Sequence, residues 1–542
     1  MENSGFQKEN LSISEAVLSV AKENLRKTAI TYMGRKISYK KLYEKIISFS
    51  QALYSLGVRK NEVVLVALPN IPQAVYVLYA LNRIGAIPAF VSPLSAEYEL
   101  EDYLIKCKAE FVISLDIMYS EFLRIFKRTG QKKLVLTGAL DEVGWCFNKK
   151  KENVLQWKEL LKSDVGTNVY LTQPKPWDTA VILFSGGTTG KPKAVELTNL
   201  NLNALSEGTE SVCGEEVRNV KMLSALPVFH GFGLGICVHT VLYFGGECML
   251  VPRFEGEKVG RIIKQQKPQY IALVPAMLSP IMKAKSMAKA DLSNLLGVFS
   301  GGDSLGSELE DSFNDFLLNH NSRVRIRQGY GLTECVAASC LMPADNFRKE
   351  SSGKPYPHTF YKIVKENTLE ECENGCAGEI CISGKTVMKG YLDDKDESEK
   401  VLRNHPDGKI WLHTGDMGYV DNDGFVYFKS RIKRVIVSKG NNIYPSELEK
   451  ALLKHSGVKE CCAIGTKDSE KNEIAVMFAV LKCKECASDE KAKELLRFLE
   501  PYVSKQSMPK RIYFIDEIPR TSLGKVAYTE LINIAQKKTA EH

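Results

Sequence analysis

Nothing in the 542 residues reads as a secretory leader: the opening MENSGFQKENLSIS has no apolar core. Nor is there a clean membrane span. The nearest approach, Met222 to Val251, holds no lysine or arginine, but Pro227, His230, His239, Glu247 and glycines 231, 233, 235, 245 and 246 interrupt it. With no second hydrophobic segment beside it, this stretch reads as a buried helix or pocket wall. The 20 prolines are scattered, with no fixed-period repeat and no low-complexity linker, which excludes collagen-like and disordered classes. The 14 cysteines are also dispersed. Cys372, Cys376 and Cys381, and the pair Cys483 and Cys486, lack the second CxxC or histidine pair that structural zinc requires. Without export, the expected thiols are free and the expected compartment is the cytoplasm, because Ala540-Glu541-His542 is no peroxisomal address. A basic stripe is missing too. Lys149-Lys150-Lys151 reads as a solvated loop, so nucleic acid is not an expected partner.

What is present fits a large globular protein: 44% hydrophobic and 25% charged residues, with 73 basic against 65 acidic groups giving +8. A pI near 8.6 favours small polyanionic ligands. Length alone allows about three or four domain-sized units. Apolar residues at three- and four-residue spacing predict a helix over Tyr39–Leu56, stopped by Gly57, then a buried strand from Val63 to Leu68. A second helix over Ala74–Ile84 ends at Gly85, before the apolar run Ala86–Val91. This order predicts an α/β fold around a parallel or mixed sheet, and the pattern recurs around Ile262–Val274 and Leu295–Ser300. Later pieces, Gly378–Gly384 and Gly424–Phe428, are short and strand-like. Pro445-Ser446 followed by acids opens a helix. The boundary is expected near 430–433, giving a domain of 1–432 and a small α+β domain of 433–542.

One loop has the composition of a phosphate cradle. The apolar strand Thr179–Ser185 runs into Gly186-Gly187-Thr188-Thr189-Gly190-Lys191-Pro192-Lys193, rich in backbone donors, hydroxyls and lysines. It is not a Walker loop, since Ser185 replaces the first glycine and Pro192 the magnesium-binding hydroxyl. Further along come Gln328-Gly329-Tyr330-Gly331-Leu332-Thr333-Glu334, then Leu412-His413-Thr414-Gly415-Asp416, Ser430-Arg431-Ile432-Lys433 and Pro519-Arg520-Thr521-Ser522-Leu523-Gly524-Lys525. Each alone is a turn or a solvated charge; their order together is the signal.

In these motifs, from about Ser38-Tyr39 to Leu531, the chain resembles the adenylate-forming superfamily of acyl-CoA synthetases, aryl-CoA ligases, firefly luciferase and peptide-synthetase adenylation domains. Fatty-acyl and aryl-acid CoA ligases are the nearest in character. The resemblance implies a large N-terminal domain of α/β subdomains with a β-rich part, and a small mobile α+β C-terminal domain. It assigns Ser185, Gly186, Gly187, Thr188, Thr189 and Lys193 to the phosphates of ATP. Gly301, Gly302 and Tyr330, with Gln328 and Gly329 in the same turn, would flank adenine. Thr333 would meet the α-phosphate, and Glu334 would hold Mg²⁺. Asp416 would accept from the ribose hydroxyls, with Arg431 beside it. Lys433 takes the hinge position, Lys525 that of the adenylating lysine, and Arg253 that of a group on a coenzyme A phosphate.

His230, in Leu226-Pro227-Val228-Phe229-His230-Gly231, is either a satisfied core histidine or a gate beside the acyl carboxylate; the resemblance favours the gate. Amino-acid-activating relatives carry an aspartate near Gly231, so its absence argues against an amino-acid substrate. Gly231, Gly233 and Gly235 are expected to leave room for an acyl chain or ring. Ala194, Asn199 and Ser430 depart from the usual glycine, histidine and glycine, and Val437 stands where many aryl-CoA ligases have lysine. Neither Ala194 nor Asn199 removes a group the chemistry requires, and Val437, at a position where other CoA synthetases also manage without the lysine, moves the reading away from the coumarate-type branch. The implied function is an AMP-forming acyl-CoA ligase acting on a hydrophobic fatty or aryl acid, using ATP, Mg²⁺ and coenzyme A. The alternatives are an acyl-AMP ligase loading a carrier protein, and a nucleotide-binding relative without turnover.

Overall fold

The computed structural model describes residues 8–144, 154–160, 173–185, 192–438, 441–467, 473–483, 486–520 and 526–540. The chain divides into two compact units. The first takes Met1–Tyr361, Cys381–Leu412 and Asp423–Val426; the second takes Lys362–Ile380, His413–Asn422 and Tyr427–His542.

The first unit is built on two mixed sheets. One has eight strands, in the order Gly390–Tyr391, Lys193–Thr198, Thr179–Ser185, Ile87–Phe90, Val63–Ala67, Phe111–Leu115, Lys133–Thr137 and Leu155–Gln156. Thr179–Ser185 and every strand listed after it run parallel; Lys193–Thr198 is antiparallel to both its neighbours. The expected helix is Tyr39–Ser55, its first turn fixed by Ser38, whose hydroxyl accepts from the Lys41 amide. The next helix begins two residues earlier than the spacing predicts, at Pro72, because proline suits a first helical position. It ends at Gly85, whose φ of 80° is the left-handed stop that a residue without Cβ takes easily. Val64, Leu65, Val66 and Ala67 are wholly buried, as a strand covered on both faces requires. Burial of each large apolar side chain stabilises the fold by about 1.5–3 kcal/mol.

The other sheet has nine strands, in the order Lys354–Pro355, Cys340–Leu341, Ile326–Tyr330, Gly297–Ser300, Tyr270–Leu273, Lys221–Ser224, Glu247–Leu250, Thr28–Tyr32 and Arg35–Ser38. The six from Ile326–Tyr330 to Thr28–Tyr32 are parallel. Buried Asn70 ties the two sheets: its amide donates to the Ser224 and Leu226 carbonyls at 3.0 and 2.7 Å and accepts from the Val228 amide at 2.9 Å. Asn199 is a second knot. It accepts from the Ile13 amide and the Asn82 side chain, and donates to the Lys175 and Asp178 carbonyls. A residue noted as a departure thus has a structural task. Met222–Val251 resolves into a strand, a wide π-type helix over Phe232–Thr240 and another strand. Among the described residues no helix is long and apolar enough to cross a membrane.

In the second unit, Val458–Lys467, Glu473–Leu481 and Arg511–Phe514 form a three-stranded sheet. Alternation along Glu473–Leu481 sends Ala475, Met477, Ala479 and Leu481 into one cluster with Leu448, Leu452, Leu495 and Leu499. Val476, Phe478 and Val480 enter another, with Leu531 and Ala535. Helices Pro445–Leu453 and Asp489–Leu499 therefore cover one face, and Tyr528–Ala540 the other. The helix opening at Pro445 is as the sequence predicts.

Candidate active site

Parallel sheets bind ligands at the carboxyl ends of their strands, and the first unit gathers its candidate residues there. Ser185 ends one strand and Lys193 opens the next, paired in register. Gly186, Gly187, Thr188 and Thr189, which the sequence assigns to the phosphates, lie outside the described residues. In the other sheet, Ser300 and Gln328 are neighbours in register. This brings Gly301 close to Gly329: a Cβ built on Gly301 would meet the Gly329 carbonyl oxygen and the Phe232 ring edge, both at 3.3 Å. Gly302 follows at a φ of 80°, and Tyr330 closes the neighbouring strand. The Gln328 amide donates to Glu310 at 3.2 Å. Burial raises the Glu310 carboxyl above its ordinary range.

Thr333, Glu334 and Cys335 form a single turn of 3₁₀ helix. The Glu334 carboxylate accepts from the Tyr391 hydroxyl at 3.0 Å, and its carbonyl accepts from the Met388 amide at 2.8 Å. Burial, then the adjacent Glu334 charge, keeps the Tyr391 phenol protonated far above its usual range. The Tyr391 ring also lies 4.6 Å from the Lys193 ammonium. Tyr391 is held there because Gly390–Tyr391 pairs with Glu196 and Val195 on the lysine's own strand. One phenol therefore links the lysine at the loop's exit to the acid of the next motif. Lys193 itself is paired with Glu397 at 2.7 Å.

Val336 is the strained point. Its φ of 66° and ψ of −63° are a conformation that β-branched residues avoid. Its carbonyl oxygen lies against Gly231, where a Cβ would sit 1.4 Å away, and its side chain packs with Leu205 over Gly235. The expectation that Gly231 and Gly235 leave space for an acyl group is therefore corrected. That space is filled by Val336 and Leu205, and at Gly233 by the Pro227 and Leu226 carbonyls. The glycines serve close backbone packing. His230 precedes them, its ring 5.0 Å from that of Phe229. Arg253 is exposed on the segment after Glu247–Leu250.

The second unit carries the other candidates. Asp416 is 1% exposed and forms an ion pair with Arg431, its Oδ1 lying 2.9 Å from the Arg431 Nε. Its amide donates to Thr414 Oγ1 at 3.1 Å. The Glu379 carboxylate, unmarked by any motif, holds the His413 ring at 2.8 Å and the Gly415 amide at 3.0 Å, shaping the bend before Asp416. Lys433 is exposed in the short turn Ile432–Arg434. Its neighbour Arg434 is committed elsewhere, to Glu449 at 2.8 Å and over the Tyr528 ring at 4.1 Å. Lys525 lies outside the described residues.

The first unit has two mixed sheets with a lysine–phenol–acid line at their strand ends, and the second has a buried acid paired with arginine. The model of the AMP-binding enzyme family matches residues 18–392, and that of the AMP-binding enzyme C-terminal domain matches 447–525. The chain belongs to the AMP-binding enzyme family. It is 30% identical over 539 residues to a long-chain-fatty-acid–CoA ligase of Bacillus subtilis (strain 168), covering 95% of this chain and 92% of that protein. It is also 30% identical over 488 residues to a 4-coumarate–CoA ligase of Humulus lupulus, covering 88% and 84%. The structure of an anthranilate CoA ligase in complex with anthranoyl-AMP superposes with a TM-score of 0.85 at 22% identity, covering 98% of each chain.

Proposed function

We propose that this protein is an AMP-forming acyl-CoA ligase that activates a hydrophobic carboxylic acid, fatty or aryl, with ATP and passes the acyl group to coenzyme A. The observation that carries the reading is the line Lys193–Tyr391–Glu334, which sets a cation over the ring and an acid at the hydroxyl of one phenol, where strand Thr179–Ser185 ends and Lys193–Thr198 begins.

A carboxylate is a poor acyl donor because its oxygen is a bad leaving group. Attack of that oxygen on the α-phosphorus of ATP gives an acyl adenylate and expels pyrophosphate. A thiol then attacks the acyl carbon, and AMP leaves. Negative charge grows on the phosphoryl oxygens in the first step, and fixed cations aimed there stabilise it. Lys193 and Lys525 are the cations assigned to that task, with the hydroxyls of Thr188 and Thr333 as donors. Glu334 suits a hard divalent cation: the phenol occupies Oε1, fixing the carboxylate's orientation and leaving Oε2 for the ion. Mg²⁺ held there would neutralise charge on the phosphates. Asp416, paired with Arg431, has the acceptor oxygens that a ribose diol needs. Lys433 would serve as the hinge between the domains 1–432 and 433–542. His230 would gate the acyl carboxylate, and Arg253 would meet a coenzyme A phosphate.

The test is ATP–pyrophosphate exchange over a panel of fatty acids of graded length and aryl acids, followed by AMP release with and without coenzyme A. Acid-dependent exchange, with AMP release accelerated by coenzyme A, is the expected result. Exchange with no acid on the panel would overturn the reading. Within it, Glu334→Gln is expected to raise the Mg²⁺ concentration for half-maximal exchange by at least about tenfold. An unchanged requirement would remove Glu334 from the metal.

A further inference from the structure

The lysine that should meet phosphate is already holding an anion. Lys193 Nζ lies 2.7 Å from Glu397 Oε2, while the other oxygen of the same carboxylate accepts from Lys400. The site is half-exposed: the Lys193 and Glu397 side chains are 26% and 34% accessible. Glu397 is fixed in the first turn of helix Lys395–Val401, where its amide donates to the capping Asp394 at 3.3 Å. Lys193 is fixed at the other side by its strand and by the Tyr391 ring. Neither partner has drifted into an incidental surface pair.

We propose that Glu397 is a latch that occupies Lys193 until a polyphosphate displaces it, so that this residue sets the affinity of the site for nucleotide. The proposal rests on the reading of Lys193 as a phosphate-binding residue.

Three features favour exchange over permanent pairing. The two lysines hold the Glu397 carboxyl down at about 2, so it stays ionised at any working pH and protonation cannot release Lys193. A stronger anion can, and a triphosphate carries several charges against one. When Lys193 leaves, Lys400 remains on Glu397, so no carboxylate is left unpaired. The ring of Tyr391 offers the ammonium a face on which to pivot without losing its contact. Because the same phenol donates to Glu334, movement of Lys193 is felt at the acid assigned to the metal.

The experiment measures binding of a non-hydrolysable ATP analogue with Mg²⁺ by calorimetry. Glu397→Gln removes the competing charge at nearly constant size on an exposed helix, and is expected to tighten binding about three- to tenfold. Lys193→Met should weaken binding, and in that background the gain from Glu397→Gln should shrink below about twofold, because the two changes act on one contact. Unchanged or weaker binding by Glu397→Gln would overturn the latch, and weaker binding would mean that Glu397 positions the lysine. A gain that persists without Lys193 would reduce the effect to general charge and also overturn it. Wild-type protein that binds the analogue and shows acid-dependent exchange, with Glu397→Gln unaltered, would sink the latch and leave the ligase reading standing. Wild type that neither binds nor exchanges would sink both.

Discussion

Lys525→Ala should lose about 10²–10³-fold in adenylation yet keep most of the thioester-forming rate when the acyl adenylate is supplied ready-made. The asymmetry follows from where charge develops. In the first half-reaction the α-phosphoryl oxygens gain negative charge as the acid attacks and pyrophosphate departs, and an ammonium aimed at them stabilises that state more than the ground state. In the second half-reaction the developing charge is on the acyl carbonyl oxygen, and AMP leaves with its phosphate already formed. A lysine serving only the first has nothing to stabilise in the second. The measurement is paired: ATP–pyrophosphate exchange for the first step, and release of AMP from added acyl adenylate on addition of coenzyme A for the second. Equal damage to both would show that the small domain does not present different faces to the two reactions.

The expected elements and motifs differ in how far the sequence reveals them. Tyr39–Ser55, Pro72–Ile84 and the buried strand Val63–Ala67 between them were legible because a helix with one buried face alternates apolar and polar residues at helical spacing, and a strand buried on both faces is an unbroken apolar run. The π-type helix Phe232–Thr240 was legible only as a buried helix or pocket wall somewhere in Met222–Val251: its residues are almost all buried, so no polar face marks its period or its bounds. Candidate site residues within a motif, such as Glu334 and Asp416, announce themselves by their neighbours. Tyr391, Glu397 and Glu379 do not. Tyr391 sits in a two-residue strand, and its task depends on Lys193 and Glu334, each distant in sequence. Glu397 looks like any acid in a charged helix start, and only the position of strand Lys193–Thr198 makes it a partner. Glu379 acts on the bend at Gly415 from a strand that precedes it by over thirty residues. Each is defined by tertiary proximity, which periodicity cannot encode.

Gly231 shows the same limit from the opposite side, and it supplies the second large expected effect. Its φ of −54° and ψ of −38° suit any residue, so alanine there would meet no backbone penalty. The obstacle is the Val336 carbonyl oxygen, 1.4 Å from where the Cβ would be. That oxygen cannot retreat freely, since the Val336 amide donates to Thr333 at 3.0 Å and the Ala337 amide to Cys335 at 2.8 Å. The turn also includes Glu334, two residues earlier. Gly231→Ala is therefore expected to destabilise the protein by about 3 kcal/mol and to disturb the acid assigned to the metal. The control is Gly306→Ala, where a Cβ meets nothing within 4 Å and only the poorer capping of helix Ser307–Asn319 by alanine counts against it, an expected cost below about 1 kcal/mol. Chemical denaturation compares the two; equal midpoints would mean that Val336 does not press on Gly231. The same approach gives a physical reason for the missing aspartate. A larger side chain has no room at Gly231 while Val336 keeps its turn, so the aspartate that amino-acid-activating relatives carry near this point would not fit here.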